Sequence, residues 1–103
     1  MVAGSPGGPR IISTVLNVLL NAIDFGMNAQ EAVDAPRFHH QWLPDTLFIE
    51  PGISPDTLAL LKARGYAVDT AAAIGEAAVI LVEQDGWLQG AADPRSEGKA
   101  AGY

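Results

Sequence analysis

Two successive glycines carry the most suggestive chemistry in this sequence. Gly7 and Gly8 lie in the loop Gly4-Ser5-Pro6-Gly7-Gly8-Pro9, directly ahead of a long stretch of periodically spaced apolar residues. With no Cβ to hold a ligand away, such glycines can turn their backbone N–H groups outward. A pair of N–H groups at the start of a helix binds anions: phosphates in some proteins, the oxyanion that develops during acyl transfer in others. The spacing does not fit G-x-x-x-x-G-K-[ST], and no lysine follows the glycines, which argues against a Walker-type nucleotide loop. Ser5 is a poor nucleophile candidate, because Ala3 occupies the first glycine position of G-x-S-x-G and no strand is expected before it. On its own, the loop fits a flexible entry to a buried helix better than it fits an anion site, and both readings stand at this point.

The other residues able to do chemistry are fewer. His39 and His40 are adjacent, so on an extended chain they point to opposite faces, and no third ligand lies at a recognisable spacing. Buried hydrogen-bonding histidines are therefore expected rather than a metal site. The chain has no cysteine, which excludes thiolate chemistry and disulfides. Its net charge is −6 and its six basic residues are scattered, which argues against a nucleic-acid surface. Met1-Val2-Ala3-Gly4 has neither the charged nor the apolar run of a signal peptide, so none is expected and the compartment stays open.

The loop must be positioned by the segment it leads into. From Arg10 to Phe25, Ile12, Val15, Leu16, Leu19, Leu20 and Ile23 recur at helical spacing, with Thr14, Asn17, Asn21 and Asp24 on another face. The pattern predicts a mostly buried helix, with Pro9 in its first turn and Gly26 just past its end. It is too short, and too polar on one face, to span a membrane. Asn28 to Ala35 predicts a two-turn helix stopped by Pro36, and Arg37 to Pro44 an extended aromatic segment. Thr46–Glu50 reads as a strand. Ser54 caps a helix that begins at Pro55 and stops at Gly65. Tyr66–Thr70 alternates like a strand covered on one face, whereas residues 71–75 carry no clear signal. Glu76–Glu83 is apolar on both faces and forms a hairpin with Trp87–Ala92 across Gln84-Asp85-Gly86. Asp93–Lys99 reads as a polar exit loop.

One small domain fits 103 residues, and at this size folding buries only about two-thirds of the unfolded surface. A hydrophobic content of 49% is high for so short a chain. The doubly apolar strand needs cover that three helices do not supply, which suggests a piece of something larger.

Three separated motifs, Gly4-Ser5-Pro6-Gly7-Gly8, Ala35-Pro36-Arg37-Phe38-His39-His40-Gln41-Trp42, and Asp93-Pro94-Arg95 with Gly102-Tyr103, together resemble the γ-glutamyltranspeptidase (glutathione hydrolase) family. The resemblance is to the C-terminal part of the small subunit, and it covers essentially residues 1–103 as a single segment. It implies an α/β (α+β) chain, an incomplete part of an N-terminal-nucleophile hydrolase αββα sandwich with antiparallel sheets. It implies a γ-glutamyl acyltransferase or hydrolase acting on glutathione-like donors through a threonyl acyl-enzyme, with Gly7 and Gly8 as oxyanion-hole donors. No catalytic nucleophile, metal or cofactor is expected on this chain: Met1 is not threonine, and Thr14, Thr46, Thr57 and Thr70 are all internal.

The implied partners are the remainder of the small subunit, the large subunit and a γ-glutamyl small molecule, with self-association of the isolated chain and no nucleic acid or membrane segment. Family members are often periplasmic or secreted. Pro9 stands where relatives often carry Ser or another N–H donor, and Ile74-Gly75-Glu76 replaces a more polar stretch. Two other functions stay open: a non-catalytic remnant acting as a structural or interaction module, and a related amidase or β-lactam acylase of the same fold.

Overall fold

The computed structural model describes residues 1–102; Tyr103, one half of the terminal Gly102-Tyr103 motif, lies outside the described residues. In chain order the elements are β1 (Val2–Gly4), α1 (Arg10–Ile23), α2 (Ala29–Asp34), β2 (Phe38–His39), β3 (Leu47–Ile49), α3 (Pro55–Ala63), β4 (Val68–Thr70), β5 (Ala78–Val82) and β6 (Leu88–Ala92). Helix starts follow the expected chemistry. The Asn28 side chain accepts the Glu31 N–H at 2.8 Å, and the Ser54 hydroxyl accepts the Asp56 N–H at 3.3 Å. Pro9 stands one residue earlier than expected, as the N-cap of α1.

The strands form two sheets. β1, β5 and β6 make a wholly antiparallel sheet in the order β1-β5-β6, and β5–β6 is the expected hairpin. The second sheet, β2-β3-β4, joins an antiparallel β2–β3 pair to a parallel β3–β4 pair, for which α3 is the crossover. α1 and α2 cover one face of the first sheet. There Val18, Ala32 and Val33 pack with Ala77, Val79 and Ala91 as the apolar core.

The orientation of α1 corrects the expectation of a mostly buried helix. The buried residues of α1 are Thr14, Asn17 and Val18, whereas Ile12 and Ile23 are 77% and 69% exposed. The polar face turns inward because its amides hold neighbouring backbone. Asn17 Nδ2 donates to the Phe38 carbonyl at 3.1 Å, and Asn21 Nδ2 to the Ala32 carbonyl at 3.2 Å. Of the apolar face, Ile12, Leu16 and Ile23 are left to solvent, while Val15, Leu19 and Leu20 are half-buried. The first sheet shows the same division: Val79 is buried, while Val2, Ile80, Val82 and Leu88 are exposed on the opposite face. The cover expected to be missing is missing on both the sheet and the helix.

Residues 93–99 form the expected polar loop, but its Asp93 and Arg95 are drawn inward while Glu97, Gly98 and Lys99 are exposed. Asp93 is buried and pairs with the fully buried Arg37 at 2.7 Å, and Arg95 reaches back to Glu50 through two contacts of its guanidinium. Arg95 Nη1 also meets Asp93 Oδ1 at 3.0 Å, closing a four-residue network. The two guanidiniums also donate to the carbonyls of Val33, Ala35 and Ile74. The two carboxylates in turn accept N–H groups from Arg37, Ile74, Ala77 and Arg95. Burial pushes the Glu50 and Asp93 carboxyls up, but the donors around them outweigh it, and both end below their ordinary values. The Glu50 side chain raises the pKa of Arg95, with Asp93 adding to it.

Two predictions follow from these features. With depressed folded-state values, the carboxylates contribute stability that is complete above their ordinary values of 4.5 for Glu50 and 3.8 for Asp93. That contribution is lost as the pH falls through the lower folded-state values. Urea unfolding should show Asp93→Asn less stable than the parent by about 3–5 kcal/mol at neutral pH, the usual cost of breaking a buried pair. The difference should shrink in acid; an equal stability at neutral pH contradicts the network's role. For the isolated chain, the exposed apolar faces predict self-association or binding of dyes that report apolar surface. A monomeric sedimentation profile without dye binding counts against it.

Candidate functional site

The loop from Gly4 to Pro9 connects the end of β1 to the first turn of α1. Gly7 has φ +128° and Gly8 φ +61°, both in the region that favours glycine. Their carbonyls are taken up by the helix start, since Arg10 N–H donates to Gly7 O at 3.3 Å and Ile11 N–H to Gly8 O at 3.2 Å. Among the described residues, the N–H groups of Gly7 and Gly8 donate to nothing. Both residues are exposed, and a Cβ built on either meets no atom within 4 Å. The two glycines are therefore kept for backbone shape, and they present two adjacent N–H donors at the positive end of the α1 dipole.

The loop is tied down on its N-terminal side. Ser5 Oγ accepts the Glu76 N–H at 3.0 Å and donates to the Pro6 carbonyl at 2.7 Å. Glu76 belongs to the segment just ahead of β5, which the buried network grips on both sides through Ile74 and Ala77. The same segment touches α1 closely at Gly75. A Cβ there would lie 2.1 Å from the Thr14 hydroxyl, so a larger residue forces the segment off the helix. The Thr14 Oγ1 is buried without a hydrogen-bond partner among the described residues. Arg10, the first residue of α1, lies 5.5 Å over the Phe48 ring and donates to the Ala73 carbonyl at 3.4 Å.

Of the residues singled out from sequence, Gly7 and Gly8 stand together in the loop, and the histidines stand apart from it. His39 is buried between the Ser13 hydroxyl, 2.6 Å from Nδ1, and Gln41 Oε1, 2.9 Å from Nε2. His40 is partly exposed; its Nδ1 accepts the Trp42 N–H at 3.1 Å and its Nε2 faces Asp45 at 3.1 Å. His39 is the last residue of β2, and His40 follows just past its end. A groove of about 530 Å³ lies away from the loop, on the exposed sheet face, where Val2, Ile80 and Leu88 meet residues 99–102. Sequence reasoning missed the bridge made by Ser5 and Glu76. The only signal was the presence of a hydroxyl next to the glycines, and its partner lies 71 residues away.

Comparison with known proteins gives this geometry its context. The γ-glutamyltranspeptidase family model matches residues 1–103. A glutathione hydrolase proenzyme of Escherichia coli (strain K12) is 57% identical over 104 residues, covering 100% of this chain but 18% of the relative. A crystal structure of a Helicobacter pylori γ-glutamyltranspeptidase mutant superposes with a TM-score of 0.83 at 48% identity, over 92% of this chain and 53% of that one. The Pseudomonas nitroreducens γ-glutamyltranspeptidase complexed with L-DON gives a TM-score of 0.88 at 35% identity, over 99% of this chain and 54% of that one. The chain thus spans under a fifth of that curated relative and about half of the solved chains. Sequence match and superposition agree over the same residues, and this chain belongs to the γ-glutamyltranspeptidase family.

Proposed function

We propose that residues 1–103 supply the oxyanion-binding loop of a γ-glutamyl acyltransferase or hydrolase. The observation that carries this reading is the pair of adjacent Gly7 and Gly8 N–H groups, without partners among the described residues and held at the start of α1. In acyl transfer, a nucleophile attacks the carbonyl carbon of the γ-glutamyl donor, and the carbonyl oxygen takes up the electron pair as an oxyanion. Two fixed donors aimed at that oxygen cost no reorganisation when the charge appears. Collapse of the intermediate expels the amine and leaves an acyl-enzyme, which water or an amine acceptor then resolves.

The nucleophile in this reading is an N-terminal threonine on a part of the enzyme outside residues 1–103. None of the four threonines here has a free α-amine to act as its base, and Thr14 is buried in α1. The partners are the other segments of the small subunit, the large subunit and a glutathione-like donor. The exposed faces of α1 and of the β1-β5-β6 sheet support this assembly, since an independent structural module has no use for so much uncovered apolar surface.

Two tests follow. The isolated chain should release no nitroaniline from γ-glutamyl-p-nitroanilide above a heat-killed control; measurable release contradicts the division of labour. The loop itself is tested in a complete enzyme carrying residues 1–103 as its corresponding part. Proline at Gly8 is uninformative, because its ring cannot adopt φ +61° whatever the N–H does. Replacing the Gly7–Gly8 amide by an ester deletes the donor without adding a side chain. Turnover should then fall about 100-fold or more, the usual cost of losing one oxyanion donor. Near-normal turnover of the folded, processed ester enzyme removes the assignment.

A further inference from the structure

We infer that Ser5 is a positioning residue that aims the Gly7 N–H, a role resting on the oxyanion reading above and extending it to a side chain. Peptide groups are planar, so the carbonyl of Pro6 and the N–H of Gly7 turn as one unit. The Ser5 hydroxyl donates to that carbonyl at 2.7 Å. Whatever holds the carbonyl also sets the direction of the N–H on the other side of the plane.

Ser5 does not hold it from a mobile position. Its oxygen accepts the Glu76 N–H at 3.0 Å, from the segment clamped between the Ile74 and Ala77 contacts of the buried network. The path from core to donor is therefore a chain of hydrogen bonds: Glu76 N–H to Ser5 Oγ, Ser5 O–H to Pro6 C=O, and through the Pro6–Gly7 peptide to the Gly7 N–H. Each bond in such a chain polarises the next, which makes the terminal N–H a stronger donor as well as a better aimed one. The second donor needs no such device. Its peptide carbonyl, Gly7 O, is already held by the Arg10 N–H of the first helical turn. Of the two donor peptides, one is oriented by the helix and the other by Ser5.

An interaction that aims a transition-state donor lowers kcat when removed and leaves ground-state binding alone. A merely structural hydroxyl instead lowers the melting temperature or the yield of processed enzyme, with kcat per active site unchanged. In the complete enzyme carrying this segment, with sites counted by the burst of the first acyl transfer, Ser5→Ala should lower kcat about tenfold. The donor KM should stay within about twofold. Ser5→Thr keeps the hydroxyl and should restore turnover, since a β-branched residue ahead of Pro6 suits the extended backbone there. A Ser5→Ala enzyme with wild-type kcat per site overturns the proposal. Should Ser5→Ala fail to mature, Ser5→Cys decides against Ser5→Thr: a lower kcat for the weak S–H donor supports the aiming role, and equal kcat values overturn it. An ester at the Pro6–Gly7 bond, which deletes the Gly7 N–H, separates the two levels. Loss of turnover there with a normal Ser5→Ala rate removes the role of Ser5 alone, whereas a normal ester rate removes the oxyanion reading and this inference with it.

Discussion

The buried pairing of Arg37 and Asp93 with Arg95 and Glu50 is the constraint on which the rest of this chain depends. Taking four charged groups out of water is costly, and their mutual attraction offsets that cost only when the remaining donors and acceptors are also used. Here they nearly all are: carbonyls of Val33, Ala35 and Ile74 take up guanidinium protons, and N–H groups of Arg37, Ile74, Ala77 and Arg95 meet the carboxylates. Arg37 Nε alone lacks a partner among the described residues. The network thereby joins the end of α2, the approach to β2, the end of β3, the segment before β5 and the exit from β6. Beside an apolar core built largely of alanine and valine, it ties both sheets to α2.

The loop inherits its geometry from this arrangement. Ile74 and Ala77 are held on either side of Glu76, Glu76 holds Ser5, and Gly75 presses against Thr14 of the helix that the loop enters. The N-terminal loop and the segment before β5, far apart in sequence, are thus joined at the start of α1. Preorganisation of this kind is what a site for a developing charge requires, because donors that must reorient during the reaction give back much of their effect. The uncovered apolar faces belong to the same account. They occur on a chain that spans about half of the solved γ-glutamyltranspeptidase chains it matches.

What was legible in the sequence was local. Asn28, Ser54 and Pro55 mark helix starts through contacts no more than three residues long, and the Asp85-Gly86 turn sets the β5–β6 hairpin. The glycine pair was legible as the loop that enters α1, because that entry needs only its own backbone. The direction of α1 was not: periodicity shows that its apolar residues share a face, but nothing local says whether the cover for that face lies within these 103 residues. The polar face won the interior because Asn17 and Asn21 have backbone partners on β2 and α2. The network was illegible for the same reason. Asp93 and Arg95 look like an exposed turn until residues 37 and 50 are brought to them, and no spacing rule links positions so far apart.

The central claim is that Gly7 and Gly8 together face the oxygen that becomes negative during acyl transfer. The most direct test is a crystal structure of a complete enzyme carrying this segment, bound to a tetrahedral analogue of the γ-glutamyl transition state. The account predicts one analogue oxygen about 2.7–3.1 Å from both the Gly7 and the Gly8 nitrogen. An analogue bound at the nucleophile with that oxygen held by other groups, and with the two N–H groups facing solvent or protein, would contradict it.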